Sequence, residues 1–353
     1  MTYITLANKW RPKKLNNLIG QDQVIFSLKN IIESKKIHPA YIIHGPQGTG
    51  KTSLARIITK CVNCEKKITI DPCDNCFCCI SINKNKNIDS IEIDGASKTK
   101  IEEIKNIIEI AQYKSSNNRY RTFIIDECHM LSQSSFNYLL KTLEEPYINT
   151  LYILITTQIE KIPKTIVSRC INLQLNKLNK KNIKTHIENI LKEENIFFDN
   201  ISLDYISIFS NGSLRSAINT IEKITSKEKI INTKNTRLML GILPDLSILF
   251  IIKSIHEKDI KNLISNIKKI TELGLNNKTI LIQIQITLYK ILLYKSNIIY
   301  DESLCKYKIF MYLSKVMTKE KITNLYNKLI DITIDNNVIN EIDFEMILIN
   351  FSI

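Results

Sequence analysis

Residues Gly45-Pro46-Gln47-Gly48-Thr49-Gly50-Lys51-Thr52 match the pattern G-x-x-x-x-G-K-[ST] in full. Glycines at this spacing let backbone N–H groups close around phosphate oxygens. A lysine then reaches the β/γ-phosphates, and the hydroxyl after it ligates Mg2+. The chemistry implied is ATP binding. Its flanks agree: Tyr41-Ile42-Ile43-His44 reads as a strand entering the loop, and Ser53-Leu54-Ala55-Arg56-Ile57-Ile58 as a helix leaving it, with its positive dipole end toward the anion.

A second chemical segment is Arg121-Thr122-Phe123-Ile124-Ile125-Asp126-Glu127, an apolar strand ending in two acids. At a strand's carboxyl end Asp126 can hold Mg2+ through water, and Glu127 can polarise an attacking water as general base. A strand that simply ends in Asp-Glu is common, and the phosphate loop upstream makes hydrolysis of Mg-ATP the better reading. Leu151-Tyr152-Ile153-Leu154-Ile155-Thr156-Thr157 is another buried-strand pattern. In a parallel sheet its end falls beside Asp126, so Thr157 or Thr156 can orient the lytic water, or the β-branched residues simply finish the strand.

The third cluster is Cys61, Cys64, Cys73, Cys76, Cys78 and Cys79, six of the chain's nine cysteines within nineteen residues. Such crowding asks for a metal rather than disulfides in a chain with no secretory signal. By spacing, Cys61-x-x-Cys64 and Cys73-x-x-Cys76 form two knuckles separated by eight residues. Four thiolates complete a closed tetrahedral zinc site, structural rather than catalytic.

These residues must be positioned by a two- or three-domain chain, since 353 residues exceed one ordinary core. Residues 1–178 alternate strands and helices, which implies a parallel sheet with helices on both faces and the cysteine module (about 61–80) inserted. Residues 179–240 read as short helices, including Lys180–Glu193 and Ser213–Ile224. Residues 241–353 read as apolar helices such as Ile280–Tyr294, several richer in apolar residues than one stripe requires. The excess fits burial between subunits or packing within one chain.

No apolar run approaches the roughly 18–20 residues of a membrane span, and the N-terminus lacks signal-peptide features, so a cytoplasmic site and no membrane partner are expected. The formal charge is +14; from Gly241 onward 14 basic face 12 acidic residues, leaving +12 in the first 240. Basicity thus accompanies the chemical segments and hints at nucleic acid, although a Lys-, Asn- and Ile-rich composition inflates it.

Further runs complete an ordered set: Lys9-Trp10-Arg11-Pro12, Ile19-Gly20-Gln21, His129-Met130-Leu131-Ser132, Leu139–Pro146, Ser168-Arg169-Cys170 and Gly212-Ser213-Leu214-Arg215-Ser216-Ala217. Together with the phosphate loop they resemble AAA+ clamp-loader ATPases, and among these the gamma/tau subunits of bacterial DNA polymerase III. The match is dense over residues 1–220. The resemblance implies an AAA+ P-loop core with a zinc-binding insertion, a small helical lid and an all-helical collar that oligomerises. It makes Arg169 an arginine finger acting in trans on a neighbour's ATP, and Arg215 a sensor acting in cis. It sets Arg11, Pro12 and Ile19 around the adenine and selects Cys64, Cys73, Cys76 and Cys79 as the zinc ligands.

The implied partners are delta- and delta-prime-type subunits in a pentamer, the sliding clamp, primed DNA and the polymerase III holoenzyme; nothing suggests nucleotidyl transfer by this chain itself. Lys98 and Lys100 flank a capping box formed by Thr99 and Glu102, an arrangement unfavourable for a helix start unless an anion sits there. With Lys141 these residues are expected to track a DNA backbone, against the plainer reading of solvated lysines. The chain ends at Ile353 without a Pro-rich or charged linker, as in a short gamma-like form.

Rival readings fit less well. Asp126-Glu127-Cys128-His129 has the form of a DExH helicase box, but no second motor domain follows Asn176. A hexameric branch-migration motor leaves the cysteines unexplained. A scaffold subunit that binds ATP without turning it over remains the main alternative to an ATPase that loads clamps.

Overall fold

The computed structural model describes residues 4–96, 101–226, 229–271, 275–298, 304, 307–334 and 340–351. Lys98, Thr99 and Lys100, expected at the DNA surface, lie outside the described residues. The described residues form two compact units, Met1–Ile230 and Ile231–Ile353.

In the first unit the strands β1 (Ala40–His44), β2 (Ser90–Asp94), β3 (Arg121–Asp126), β4 (Thr150–Thr156) and β5 (Ile171–Gln174) form a sheet of order β2-β3-β4-β1-β5. Every adjacent pair is parallel. His44 lies opposite Thr156 and Asp94 opposite Asp126, so the loops leaving β1, β3 and β4 emerge along one edge. That edge is where a parallel sheet gathers functional loops.

The strands are apolar throughout because both faces are covered. Tyr41 and Ile43 of β1 join Leu151, Ile153 and Ile155 of β4 in one core, with Leu54, Ile57 and Ile58 of the helix Lys51–Asn63. The alternate residues Ala40, Ile42, Tyr152 and Leu154 enter the opposite core with Ile104, Phe136 and Leu139 of the helices Ile101–Ala111 and Gln133–Glu144. Phe123 stacks on Tyr152 there, ring centroids 5.4 Å apart. Burying each such side chain is worth about 1.5–3 kcal/mol, so a one-residue slip of β4 exchanges the contents of both cores at once.

The helices Lys180–Glu193, Asn200–Phe209 and Leu214–Thr225 follow, each opened by a side-chain cap from Asn179, Asp199 or Ser213. The second unit is helical among its described residues from Thr233–Leu240 through Glu341–Asn350. Its longest helix, Asn277–Lys295, buries Ile280, Leu281, Ile284, Leu288 and Ile291 inside the unit, which accounts for much of that helix's apolar excess. Among the described residues, no single helix is long and apolar enough to cross a membrane.

Candidate nucleotide site and metal centre

The loop Gly45–Gly50 leaves β1 at the functional edge and turns into the helix Lys51–Asn63. Gly45 has φ +144°, and a Cβ there would lie 2.2 Å from the backbone oxygen of Leu175. Gly48 has φ +75°, and its Cβ would meet Ser213 Oγ at 2.0 Å. A Cβ at Gly45 would strike backbone, and one at Gly48 would have to displace the Ser213 hydroxyl, which is the physical content of the two glycines. Lys51 Nζ donates to the carbonyls of Gly45 (3.0 Å) and Pro46 (2.9 Å). Burial lowers the Lys51 pKa, opposed by the nearby charges of Glu127 and Asp126.

The acids of β3 arrive beside this loop. Thr52 Oγ1 donates to Asp126 Oδ2 at 2.7 Å, which ties the start of the helix to the end of β3. Glu127 leaves the strand with φ +47°, in the left-handed region, and its N–H donates to Asp126 Oδ1. A non-glycine residue held there costs about 1–3 kcal/mol. Its Oε2 accepts from Thr157 Oγ1 at 3.2 Å and lies 3.4 Å from His129 Nδ1. Thr156 is fully buried and pairs with His129 Nδ1 instead. The two threonines thus divide the pair: Thr157, just past the end of β4, faces the acid and Thr156 fixes the histidine.

Both segments open into a cleft of about 460 Å³ lined by Gln47–Ser53, Asp126, Glu127, Arg11, Pro12, Ile19 and Arg215 among others. That volume suits a nucleotide-sized ligand, for which pockets run roughly 300–1,000 Å³. Arg11 has its pKa pulled down by burial and by the charge of Arg56, with Glu92 opposing; Arg215 adds further repulsion. A cleft that crowds Arg11, Lys51 and Arg215 against two carboxylates suits a polyanion carrying a metal cation. Arg169 does not line this cleft. It is about one-third exposed, donates to the Thr165 carbonyl and pairs with Glu144. Lys141 is exposed on the helix Gln133–Glu144.

The four sulfurs of Cys64, Cys73, Cys76 and Cys79 lie within 4.8 Å of one another. Cys64 caps the C-terminus of the helix Lys51–Asn63, and Cys76 caps the N-terminus of Phe77–Asn83 with its sulfur accepting from the Cys79 N–H. The N–H groups of Asn75 and Cys76 draw the Cys73 thiol down to about 6, while burial pushes Cys79 up. A bound cation favours the thiolate at all four. Cys61 is outside the group: it is fully buried on the helix, points at the Ile70 carbonyl and is pushed up to about 12 by burial. Cys78 is buried and likewise outside. The ligand set selected by family pattern is therefore the one assembled here, and the ribbon spacing through Cys61 is not.

Several residues escaped the sequence reading. His129 bridges Thr156 and Glu127. Gln21, buried, exchanges two hydrogen bonds with the backbone of Asn176 at 2.9 and 3.0 Å, clasping the N-terminal segment to the chain leaving β5. Lys60, fully buried, donates to Asp74 and to the Lys13 carbonyl. Lysine is almost never fully buried without a partner, but nothing in the sequence sets this one apart from the chain's other lysines.

Comparison with known proteins agrees with this geometry. A family described as "DNA polymerase III, delta subunit" matches residues 20–179. The DNA polymerase III subunit gamma of Buchnera aphidicola subsp. Schizaphis graminum is 43% identical over 297 residues, covering 84% of this chain and 82% of that one. The subunit tau of Escherichia coli is 37% identical over 82% of this chain, which spans 45% of tau's length. Among solved structures, the Thermotoga maritima RuvB Holliday junction branch migration motor aligns with a TM-score of 0.50 at 20% identity, covering 70% of this chain and 79% of that one, a likeness of fold.

Proposed function

The chain belongs to the gamma/tau family of DNA polymerase III clamp-loader subunits, and we propose that it works there as an ATPase whose site is completed by a neighbouring subunit. The observation that carries this is a division of parts: Lys51, Thr52, Asp126 and Glu127 converge on one cleft, whereas Arg169 lies outside it. In this reading Gly45–Thr52 bind the phosphates of ATP, and Thr52 and Asp126 hold Mg2+. Arg11, Pro12 and Ile19 enclose the base. Glu127, oriented by Thr157, accepts a proton from the attacking water. Arg215 senses the bound nucleotide in cis, and Arg169 neutralises charge on the γ-phosphoryl group of the adjacent subunit.

ATP binding then favours an assembly with delta- and delta-prime-type subunits that opens the sliding clamp. Hydrolysis on primed DNA releases the clamp for the polymerase III holoenzyme, in the cytoplasm. The helices of residues 179–240 serve as lid and those of 241–353 as collar. Lys98, Thr99, Lys100 and Lys141 follow the DNA backbone. Zinc suits the four converging thiols and, when bound, supplies a closed structural cross-link without catalysis.

The test is ATP hydrolysis by the assembled complex with and without primed DNA, beside a Glu127→Gln complex. DNA-stimulated turnover that Glu127→Gln removes supports the reading. Binding of ATP without turnover in the complete complex refutes it and leaves a scaffold.

A further inference from the structure

The N-terminal segment that walls the cleft is held at two places. On one side Trp10 Nε1 donates to Glu194 Oε1 at 2.8 Å, Lys9 pairs with the same carboxylate, and the Leu6 N–H donates to Glu222. On the other side the carbonyl of Lys13 accepts from Lys60 Nζ at 2.6 Å, and Lys14 pairs with Asp71 at 2.9 Å. Arg11 and Pro12, which line the cleft, lie between the two attachments.

The second attachment belongs to the cysteine module. Lys60 Nζ is shared between the Lys13 carbonyl and Asp74 Oδ1, and Asp74 stands between the ligands Cys73 and Cys76 in a left-handed turn of φ +56°. Asn83 of the following helix also donates to Asp74. The Lys60 side chain is 1% exposed and that of Asp74 17%, so removing one partner leaves a charge stranded in a dry place. The Lys14–Asp71 pair is 40% and 62% exposed and adds little by itself. Asp74 sits between Cys73 and Cys76, two of the four thiols whose sulfurs lie within 4.8 Å of one another, so the loop Asp71-Pro72-Cys73-Asp74-Asn75 is tied to that cluster at two points.

We propose that Lys60 is a positioning residue through which the four-cysteine module sets the shape of the nucleotide cleft. Metal held by Cys64, Cys73, Cys76 and Cys79 orders Asp74; Asp74 fixes the Lys60 ammonium; and Lys60 holds the Lys13 carbonyl so that Arg11 and Pro12 stand against the ligand. Emptying the metal site frees that end of the segment and weakens nucleotide binding without touching the phosphate loop. The inference rests on the reading of the cleft as a nucleotide site.

The experiment uses the full chain, with zinc content measured by metal analysis and affinity measured with a fluorescent ATP analogue. Four samples are compared: wild type, wild type stripped by chelator, Asp74→Asn and Lys60→Met. Asparagine tolerates the left-handed turn and leaves all four thiols in place. The expected result is that Asp74→Asn keeps one zinc per chain and, like the stripped protein, binds the analogue about fivefold or more weakly, the lower end of usual coupling between sites. Trp10 is the chain's one tryptophan and lies in the segment, so its quenching by acrylamide should rise in the same samples. A zinc-replete Asp74→Asn chain with wild-type affinity overturns the proposal, as does a stripped chain that binds normally. If a variant fails to fold, the stripped wild type decides alone. Failure of the untreated wild type to bind the analogue refutes the nucleotide reading itself, and the coupling falls with it.

Discussion

Replacing Gly48 with alanine tests how closely the phosphate loop is fitted to the helix Leu214–Thr225. The new Cβ meets Ser213 Oγ at 2.0 Å, with Ser213 Cβ at 3.1 Å and Arg215 Cβ at 3.3 Å. Ser213 is the helix cap, its hydroxyl accepting from the Ser216 N–H at 3.2 Å, so the hydroxyl must rotate away and abandon that bond. A lost cap costs about 0.5–2 kcal/mol, and alanine at φ +75° a further 1–2 kcal/mol or so. The expected destabilisation of Gly48→Ala is thus about 1.5–4 kcal/mol.

Ser213→Ala alone removes the cap, for about 0.5–2 kcal/mol. In the double variant the hydroxyl is already gone and cannot clash, so the two effects should fall short of their sum by about 1 kcal/mol. The assay is urea unfolding followed by Trp10 fluorescence, which reports the Met1–Ile230 unit. Additive energies at unchanged m-value would refute the claimed contact, and so would a Gly48→Ala chain within about 0.5 kcal/mol of wild type. Because Arg215 rides on the displaced turn, weaker nucleotide binding should accompany the loss.

Three further outcomes follow from the site. Arg169→Ala should leave ATP-analogue affinity of the isolated chain unchanged yet lower DNA-stimulated turnover of the complex about 10³-fold or more, measured by phosphate release. Cys64→Ser and Cys79→Ser should each lower the zinc content of the purified chain, whereas Cys61→Ser should keep it at the wild-type value. Asp89 carries a pH effect: burial acts to raise its pKa, but the N–H groups of Asn117, Ser116 and Asn118 and the Arg121 guanidinium outweigh it and hold it below the ordinary value. A depressed carboxylate contributes stability above its unfolded pKa of about 4 and loses it as pH falls through the folded value. The stability difference between wild type and Asp89→Asn, read from urea midpoints, should therefore shrink as the solution is acidified below about pH 4.

The parts legible in the sequence are those whose chemistry demands particular residue types at short, rigid spacing. Gly45–Thr52 and Asp126-Glu127 are of this kind: the loop needs glycine where φ is positive and backbone passes close, and the two acids end an apolar strand beside it. Strand assignment was equally direct, because β1, β3 and β4 are covered on both faces and read as unbroken apolar runs. The cysteine ligands were half legible. Spacing admitted Cys61, and only the continuation of the helix to Asn63 turns Cys61 inward and leaves Cys64 to cap it. Gln21 was illegible because its partner is 155 residues away. Thr156 and Thr157 could be told apart only by where His129 and Glu127, 27 and 30 residues away in the chain, come to lie. Lys60 was hidden by abundance: among so many surface lysines, one buried lysine has no local mark.

The helix Lys51–Asn63 begins at the phosphate loop and ends at the first cysteine ligand, with no free turn at either end. Helices ordinarily fray from their termini, and amide exchange then proceeds inward from both. Here the leading turn is held by the Thr52–Asp126 contact, and the trailing turn ends on Cys64, whose N–H donates to the Lys60 carbonyl. Exchange of its amides should accordingly require opening of the unit as a whole. The segment would behave as a single slow-exchanging block, and loss of metal should appear first as faster exchange at Lys60–Asn63, spreading back toward Gly50.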